Sequence, residues 1–273
     1  MKFNVIGITF SVLIVGFAGC GDGSAGPEWQ KVYDESQIVF GEGDYERAFE
    51  LAEQAYEIAL VEASPDHPDF GISLGAMGFI YLSEQKLDEA EDALTRSVEI
   101  LEKAFSDGHP ELADSLGNLS KVYWHQRRFP ESETLAIRVV EMREKISGPD
   151  DPKTIEAIAN RGFIYFLQKK FFMAESDMTL ALAHYEKTKG PLSFEVGGLL
   201  SNLGMVEYHK QDFEKAEIKL KRSLTIMEYI HGSNDAAITG SLTLLKSLYT
   251  AMNRHEDVKA IEKRIAGLSG DWR

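Results

Sequence analysis

The sequence predicts an all-α protein, a solenoid of about six antiparallel helix pairs. Three observations carry that expectation: a 42-residue period without insertions, two columns of small residues at fixed places within it, and helix-start chemistry in the connections. The period shows in DYERA (44–48), KLDEA (86–90), RFPES (128–132), KFFMA (170–174), DFEKA (212–216) and RHEDV (254–258), each beginning 42 residues after the last. Such self-similarity marks units that bury their apolar faces only against neighbours. Composition agrees, because 44% apolar residues can fill a core, while few prolines (8) and abundant charges favour helix over a sandwich or barrel.

Each unit reads as two helices. The first carries a small residue at Ser36, Gly78, Ser120, Gly162 and Gly204, with Lys246 in the last unit. Twelve residues later the second helix carries Ala48, Ala90, Ser132, Ala174 and Ala216, with Val258 in the last. Small residues facing each other let two helix axes approach where their ridges cross. Three residues after the first column come Val39, Tyr81, Tyr123, Tyr165, Glu207 and Tyr249, an aromatic position suited to the wider gap beside the crossing. Polar stretches such as GEGD (41–44), SEQK (83–86) and HKQD (209–212) read as the turns inside each pair. The longer connections hold Asp66-His67-Pro68, Gly108-His109-Pro110 and Asp150-Asp151-Pro152, with proline placed for a first helical turn. His67 and His109 belong to that helix-start chemistry and read as structural. Ser64, Ser106, Gly148, Gly190 and Gly232 follow the preceding helix, and the three glycines suit a left-handed cap.

The small-x-x-Tyr…Ala spacing resembles a tetratricopeptide repeat. The 42-residue period, the "DHP" connections and the "NL" openings are similar to the kinesin-light-chain type. The resemblance spans residues 28–267 and is strongest in the middle units. It implies a right-handed superhelix with units pivoting near 44, 86, 128, 170, 212 and 254 in a repeat domain at 28–268, followed by a tail at 269–273. HEAT or armadillo repeats, with similar periods, are the structural alternative. The departures at Lys246 and Val258 fit a capping repeat, whose outer face meets water.

The resemblance further implies that the first helix of each pair lines a concave, peptide-holding groove. Groove-facing places then lie two before, one after and five after the small residue. The first column holds Asn118, Asn160 and Asn202, the second Phe79, Lys121, Phe163 and Met205, the third His125 and His209. An amide both donates and accepts, so the asparagines suit a peptide backbone of any sequence; bonding between neighbouring helices is the alternative. Phe79 and Phe163 suit either an apolar anchor site or a core. His125 and His209 stand two repeats apart, at least roughly 16–20 Å by helix packing, whereas shared zinc ligands sit about 2 Å from one ion. They read as neutral, solvated or ligand-bonding side chains, and no metal or cofactor is expected.

The N-terminus reads MKFNVIGITFSVLIVGFAGC, apolar or uncharged from Phe3 to Gly19 behind Lys2. Such a run reads as an export signal, short for a membrane span. Its end, Phe17-Ala18-Gly19-Cys20, resembles a bacterial lipobox with Phe17 in the usual leucine place. The expectation is a signal peptide at 1–19, lipidation of Cys20, and a flexible tether over 20–27. Gly21 after the cysteine, in place of Asp, points to the periplasmic face of the outer membrane. An uncleaved anchor and an ordinary secretory signal are the alternatives. Cys20 is the only cysteine, so no intramolecular disulfide forms.

Formal net charge is −15, and residues 20–273 carry 28 basic against 44 acidic side chains. That balance, without a basic patch, argues against nucleic acid as a partner. HExxH and Walker-type motifs are absent, and carboxylates such as Glu89 and Glu91 read as a solvated helix face. The expectation is therefore a non-enzymatic, membrane-anchored scaffold that binds a peptide or protein in its groove. The alternatives are a pilotin-like assembly factor for an envelope, pilus or secretion machine, and a small-ligand or metal sensor. The asparagine column favours the scaffold, since amides suit backbone and would be wasted on a small ion.

Overall fold

The computed structural model describes residues 28–268 apart from 43, 63–65 and 106–107. Among the described residues every regular element is helical, and the helices come in six pairs. These are α1 (Glu28–Gly41) with α2 (Tyr45–Glu62), α3 (Pro68–Ser83) with α4 (Leu87–Ala104), and α5 (Pro110–His125) with α6 (Phe129–Ser147). They continue as α7 (Pro152–Leu167) with α8 (Phe171–Thr188), α9 (Phe194–His209) with α10 (Phe213–His231), and α11 (Thr239–Ala251) with α12 (His255–Ala266). A 3-10 turn at Ala236–Ile238 leads into α11. The expected signal segment at 1–19, the tether with Cys20, and the tail at 269–273 lie outside the described residues.

The chain divides into two compact units between Ala157 and Ile158. In the first, each pair packs on itself and on the next, α2 on α3 and α4 on α5, around Trp29, Phe70, Leu74 and Ile100. In the second, α8 packs on α9, α9 on α10, α10 on α11 and α11 on α12, around Leu220, Ile238, Leu242, Leu245 and Leu248.

The crossings fall where the small-residue columns place them. Ala48, Ala90, Ser132, Ala174 and Ala216 are fully buried. A methyl group built on Gly78 would lie 2.4 Å from Leu94 Cγ, and one on Gly204 2.7 Å from Leu220 Cγ. The third pair, with serine in both columns, closes its crossing by reciprocal bonds: each hydroxyl of Ser120 and Ser132 donates to the other's carbonyl at 2.8 Å. In the last pair Lys246 and Val258 are only half-buried, as a terminal repeat allows.

The helix starts follow the sequence. Pro68, Pro110 and Pro152 open α3, α5 and α7, His67 Nδ1 accepts the Asp69 N–H at 3.2 Å, and Asp212 accepts the Lys215 N–H at 3.3 Å. The helix ends differ from expectation. Gly148 and Gly232 take φ of +88° and +96°, but with ψ of 168° and 149° they occupy the extended mirror region, almost exclusive to glycine, rather than the left-handed helical cap. The chain there leaves the helix directly into the inter-pair connection. The recurrent positive φ inside the pairs belongs to non-glycine residues: Gln85, Arg127, Lys169, Gln211 and Asn253, at 56–65° and 42 residues apart. Each lets the next N–H reach back, as from Lys86 to the Tyr81 carbonyl (2.9 Å) and from Arg254 to that of Tyr249 (2.9 Å), a Schellman-type closure.

The close crossing makes a paired prediction. Gly78→Ala gains about 1 kcal/mol of helix propensity but loses about 1–3 kcal/mol to overpacking against Leu94, whereas Gly117→Ala, with nothing within 4 Å, only gains. Denaturant unfolding should place Gly78→Ala below wild type and Gly117→Ala at or above it; equal stabilities would mean the crossing is not tight.

Candidate functional site

Within the first unit, Asn118, Lys121 and His125 share one face of α5 at i, i+3 and i+7. Asn118 and Lys121 are half-buried, His125 is exposed, and Phe79 on α3 is half-buried. Lys121 Nζ donates to Asn118 Oδ1 at 3.5 Å. Burial lowers the Lys121 pKa, while Glu156 and Asp114 act against that and Lys153 with it. The His125 ring stacks on Trp124 at 5.1 Å, and partial burial, then the charge of Lys121, lowers its pKa. Arg143 on α6, almost fully buried, holds the same face by donating to Asp114 Oδ1 (2.5 Å) and the Pro110 carbonyl (3.0 Å). Tyr33 on α1 stays protonated there, its pKa raised by burial and then by Asp114, Asp34 and Glu111.

Within the second unit, Asn160 and Phe163 lie one turn apart on α7, and Asn202, Met205 and His209 follow the same spacing on α9. Asn160 and Met205 are half-buried, His209 is exposed, and Phe163 is 7% exposed with its ring 6.3 Å from Phe166. Asn202 is also 7% exposed, and its Nδ2 is fully buried without a hydrogen-bond partner. A buried amide nitrogen left unpaired costs about 1–3 kcal/mol. His209 stacks parallel on Phe171 (5.6 Å, 6°) and tilts against Phe166 at 5.6 Å, joining the ends of α7 and α9. Burial, then Lys169, lowers its pKa. No group of three or more metal-ligating side chains occurs among the described residues.

A feature missed in the sequence fixes how successive pairs meet. A cation five residues after the tyrosine column lies over that ring and bonds a carboxylate 37 residues earlier. Arg128 sits 4.0 Å from the Tyr123 ring and 2.7 Å from Glu91; Arg254 sits 4.3 Å from Tyr249 and 2.6 Å from Glu217. Near the N-terminus Phe49 replaces the carboxylate, and Lys86 stands 5.0 Å from its ring. The signal was legible as two more columns, Lys86/Arg128/Lys170/Arg254 and Glu91/Glu133/Glu175/Glu217.

The fifth unit inverts this joint and explains Glu207, the odd residue of the tyrosine column. The cation place holds Asp212, and Lys210 takes over the bond to Glu175 at 2.7 Å. Fully buried, Glu207 receives Lys219 at 2.9 Å and Lys210 at 3.0 Å. Burial would raise its pKa, but the bonds from Lys219 and Lys210 outweigh that and hold it below the ordinary carboxylate value. These pairs lock α9 five residues beyond Asn202.

Helix pairs of this packing and period, with amides repeated on the first helices, define a helical-repeat interaction module. The chain belongs to the tetratricopeptide repeat family, whose model matches residues 36–103, 69–145 and 111–187. Among curated proteins none matches the sequence. Solved structures that share the fold include the following three. A kinesin-light-chain-type protein of Podosopora anserina with nearly identical TPR-like repeats is 18% identical, with a TM-score of 0.60 over 74% of this chain and 95% of that one. PilW, a widely conserved type IV pilus biogenesis factor, is 15% identical, with a TM-score of 0.65 over 88% and 93%. A Rap protein complexed with Competence and Sporulation Factor is 12% identical, with a TM-score of 0.62 over 88% and 74%.

The inverted joint predicts a coupled substitution. Glu207→Gln should cost about 1–3 kcal/mol near neutral pH. A depressed carboxylate contributes stability that is present above its unfolded pKa, about 4.3, and lost as pH falls through the folded value. The gap between wild type and variant should therefore close in acid. Glu207→Tyr alone should destabilise, and adding Asp212→Arg should recover part of the loss by rebuilding the joint of the other units. Urea unfolding across pH checks both, and additive effects of the two substitutions would refute the coupling.

Proposed function

We propose that the protein is a lipid-anchored, non-enzymatic scaffold that binds an extended peptide segment along the first helices of its repeats. The observation that carries this reading is Asn202, buried yet with an unpaired Nδ2, with Asn160 one repeat earlier in the same unit. Helix-to-helix bonding would have satisfied that amide. A peptide carbonyl supplies the missing acceptor once the Asn202 side chain rotates towards the surface, with half-buried Met205 one turn away as an apolar contact. Neutral His209 and His125 add polar contacts without charge at the ends of the same helices. The Rap complex, whose fold this chain shares, supports the mode of use. A second reading, an assembly factor for envelope machinery, draws on the likeness to the pilus biogenesis factor PilW over 88% of this chain. The anchor is read from the sequence around Cys20, with acyl chains contributing about 0.8 kcal/mol per buried CH₂. The periplasmic face of the outer membrane is the proposed location.

Removing an orphaned amide separates a ligand role from a structural one. Asn202→Ala should leave stability unchanged or higher by about 1 kcal/mol, while Asn160→Ala with Asn202→Ala lowers capture of the native envelope partner at least tenfold. Lost stability with unaltered capture would make the amides structural, and a captured pilus or secretion subunit would favour the assembly reading. Cys20→Ala should abolish fatty-acid labelling; a variant that still labels would sink the anchor.

A further inference from the structure

The outer face of the second unit departs from its repeat pattern. Phe172 (81% exposed), Met173 and Leu180 on α8, with Ile218, Tyr229 and Ile230 on α10, are all exposed. Phe172 and Leu180 are two turns apart, and Ile218 and Tyr229 three, so each set lies along one helix face. Glu186 of α8 bonds Arg222 of α10, which makes the two faces neighbours. Where the other units are charged, these residues are apolar: Phe172 stands in the place of Asp88 and Glu214, Leu180 in that of Arg96, Arg138 and Arg222, and Tyr229 in that of Lys103, Lys145 and Lys187. Contiguous apolar residues with a polar rim mark an interaction surface rather than ordinary scatter.

Charge specifies what fits there. Residues 28–157 hold 12 Lys and Arg against 29 Asp and Glu, net −17, whereas residues 158–273 hold 16 against 14, net +2. Around the apolar belt the cations stand further out than the carboxylates pairing them: the side chain of Lys221 is 56% exposed against 16% for Glu217, and that of Lys215 60% against 34% for Asp212. The belt thus offers apolar side chains within a positive rim. The complementary surface lies on the same chain. On α2, Glu46, Glu50, Glu53 and Glu57 line one exposed face, and Leu60 and Val61 are exposed at its end.

We propose that the protein associates head to tail with a second copy of itself, the acidic α2 face of one molecule seating on the α8–α10 belt of the next. Such a heterologous contact leaves one face of each kind free at the ends of any open assembly. Its charged rim is screened by salt, the Debye length falling from about 30 Å at 0.01 M to about 3 Å at 1 M.

Sedimentation of the full chain in excess detergent, at both ionic strengths and over a range of concentration, tests this. Wild type should self-associate at low salt, with the apparent dissociation constant rising at least tenfold at high salt. Glu50→Lys with Glu53→Lys should remain monomeric alone, and so should Lys221→Glu with Arg222→Glu, yet the two variants mixed should associate, because each reversed face then meets its complement. Phe172→Ser with Ile218→Ser should weaken association at both salt concentrations, with circular dichroism unchanged. Monomers throughout, oligomers that survive either charge reversal, or no rescue on mixing would overturn the proposal. So would a monomeric wild type whose belt binds anionic vesicles, or an acidic protein other than itself, in a manner lost in Lys221→Glu with Arg222→Glu.

Discussion

The structure depends on the crossing of two helices at a pair of small residues, repeated every 42 residues. At Gly78 and Gly204 there is no room for a methyl group, and the facing Ala90 and Ala216 are fully buried. Because the crossing fixes both the rotation and the height of each helix, residues at set offsets from it keep the same helix face in unit after unit. The asparagines two places before it and the aromatics three places after it are therefore consequences of one packing constraint. Ser120 and Ser132 show that closeness, rather than glycine itself, is the requirement: two hydroxyls satisfy each other's backbone and hold the helices together without a larger side chain.

A second interaction couples neighbours, and it tolerates change only in concert. A tyrosine ring, a cation above it and a carboxylate from the preceding pair form the usual joint. In the fifth unit the tyrosine has become Glu207 and the cation Asp212, while Lys210 and Lys219 supply the positive charge from other positions. A buried carboxylate without both lysines would be costly, since an ionised group out of water needs a partner and hydrogen bonds. The joint is thus conserved in its physics while its residues are exchanged. The same economy explains the five turns in which Gln85, Arg127, Lys169, Gln211 and Asn253 take positive φ: a modest local strain is held by the returning bond to the preceding helix.

The period, the helix pairs, the proline helix starts and the capping role of His67 were legible in the sequence, because each rests on spacing or on a residue with a fixed backbone preference; His109 stands at the equivalent helix start but its side chain makes no cap bond. The left-handed turn residues were not, since Gln, Arg and Lys carry no such signature. Glu207 was opaque as a single exception within one column and becomes plain when columns 207, 210, 212 and 219 are taken together. Periodicity also assigns a face but not a depth. Asn118, Asn160 and Asn202 are equivalent by spacing, yet only Asn202 combines near-complete burial with an unpaired nitrogen. Phe163 and Phe79 likewise share a column, but the first is buried and the second half-exposed, because the depth of a column varies with the side chains of the neighbouring pair.

The repeated amides and the exposed apolar belt divide between first and second helices. The amides lie on first helices, where the crossing pins the backbone and an orphaned donor can be held in a dry place. The apolar belt lies on second helices, whose outer faces carry no packing duty and are free to vary, as Leu180 in an arginine place shows. A substitution on one face leaves the crossing untouched and so leaves the other face in position. That independence lets a chain with net charge −17 over residues 28–157 and +2 over 158–273 vary its surface while keeping a single packing rule throughout.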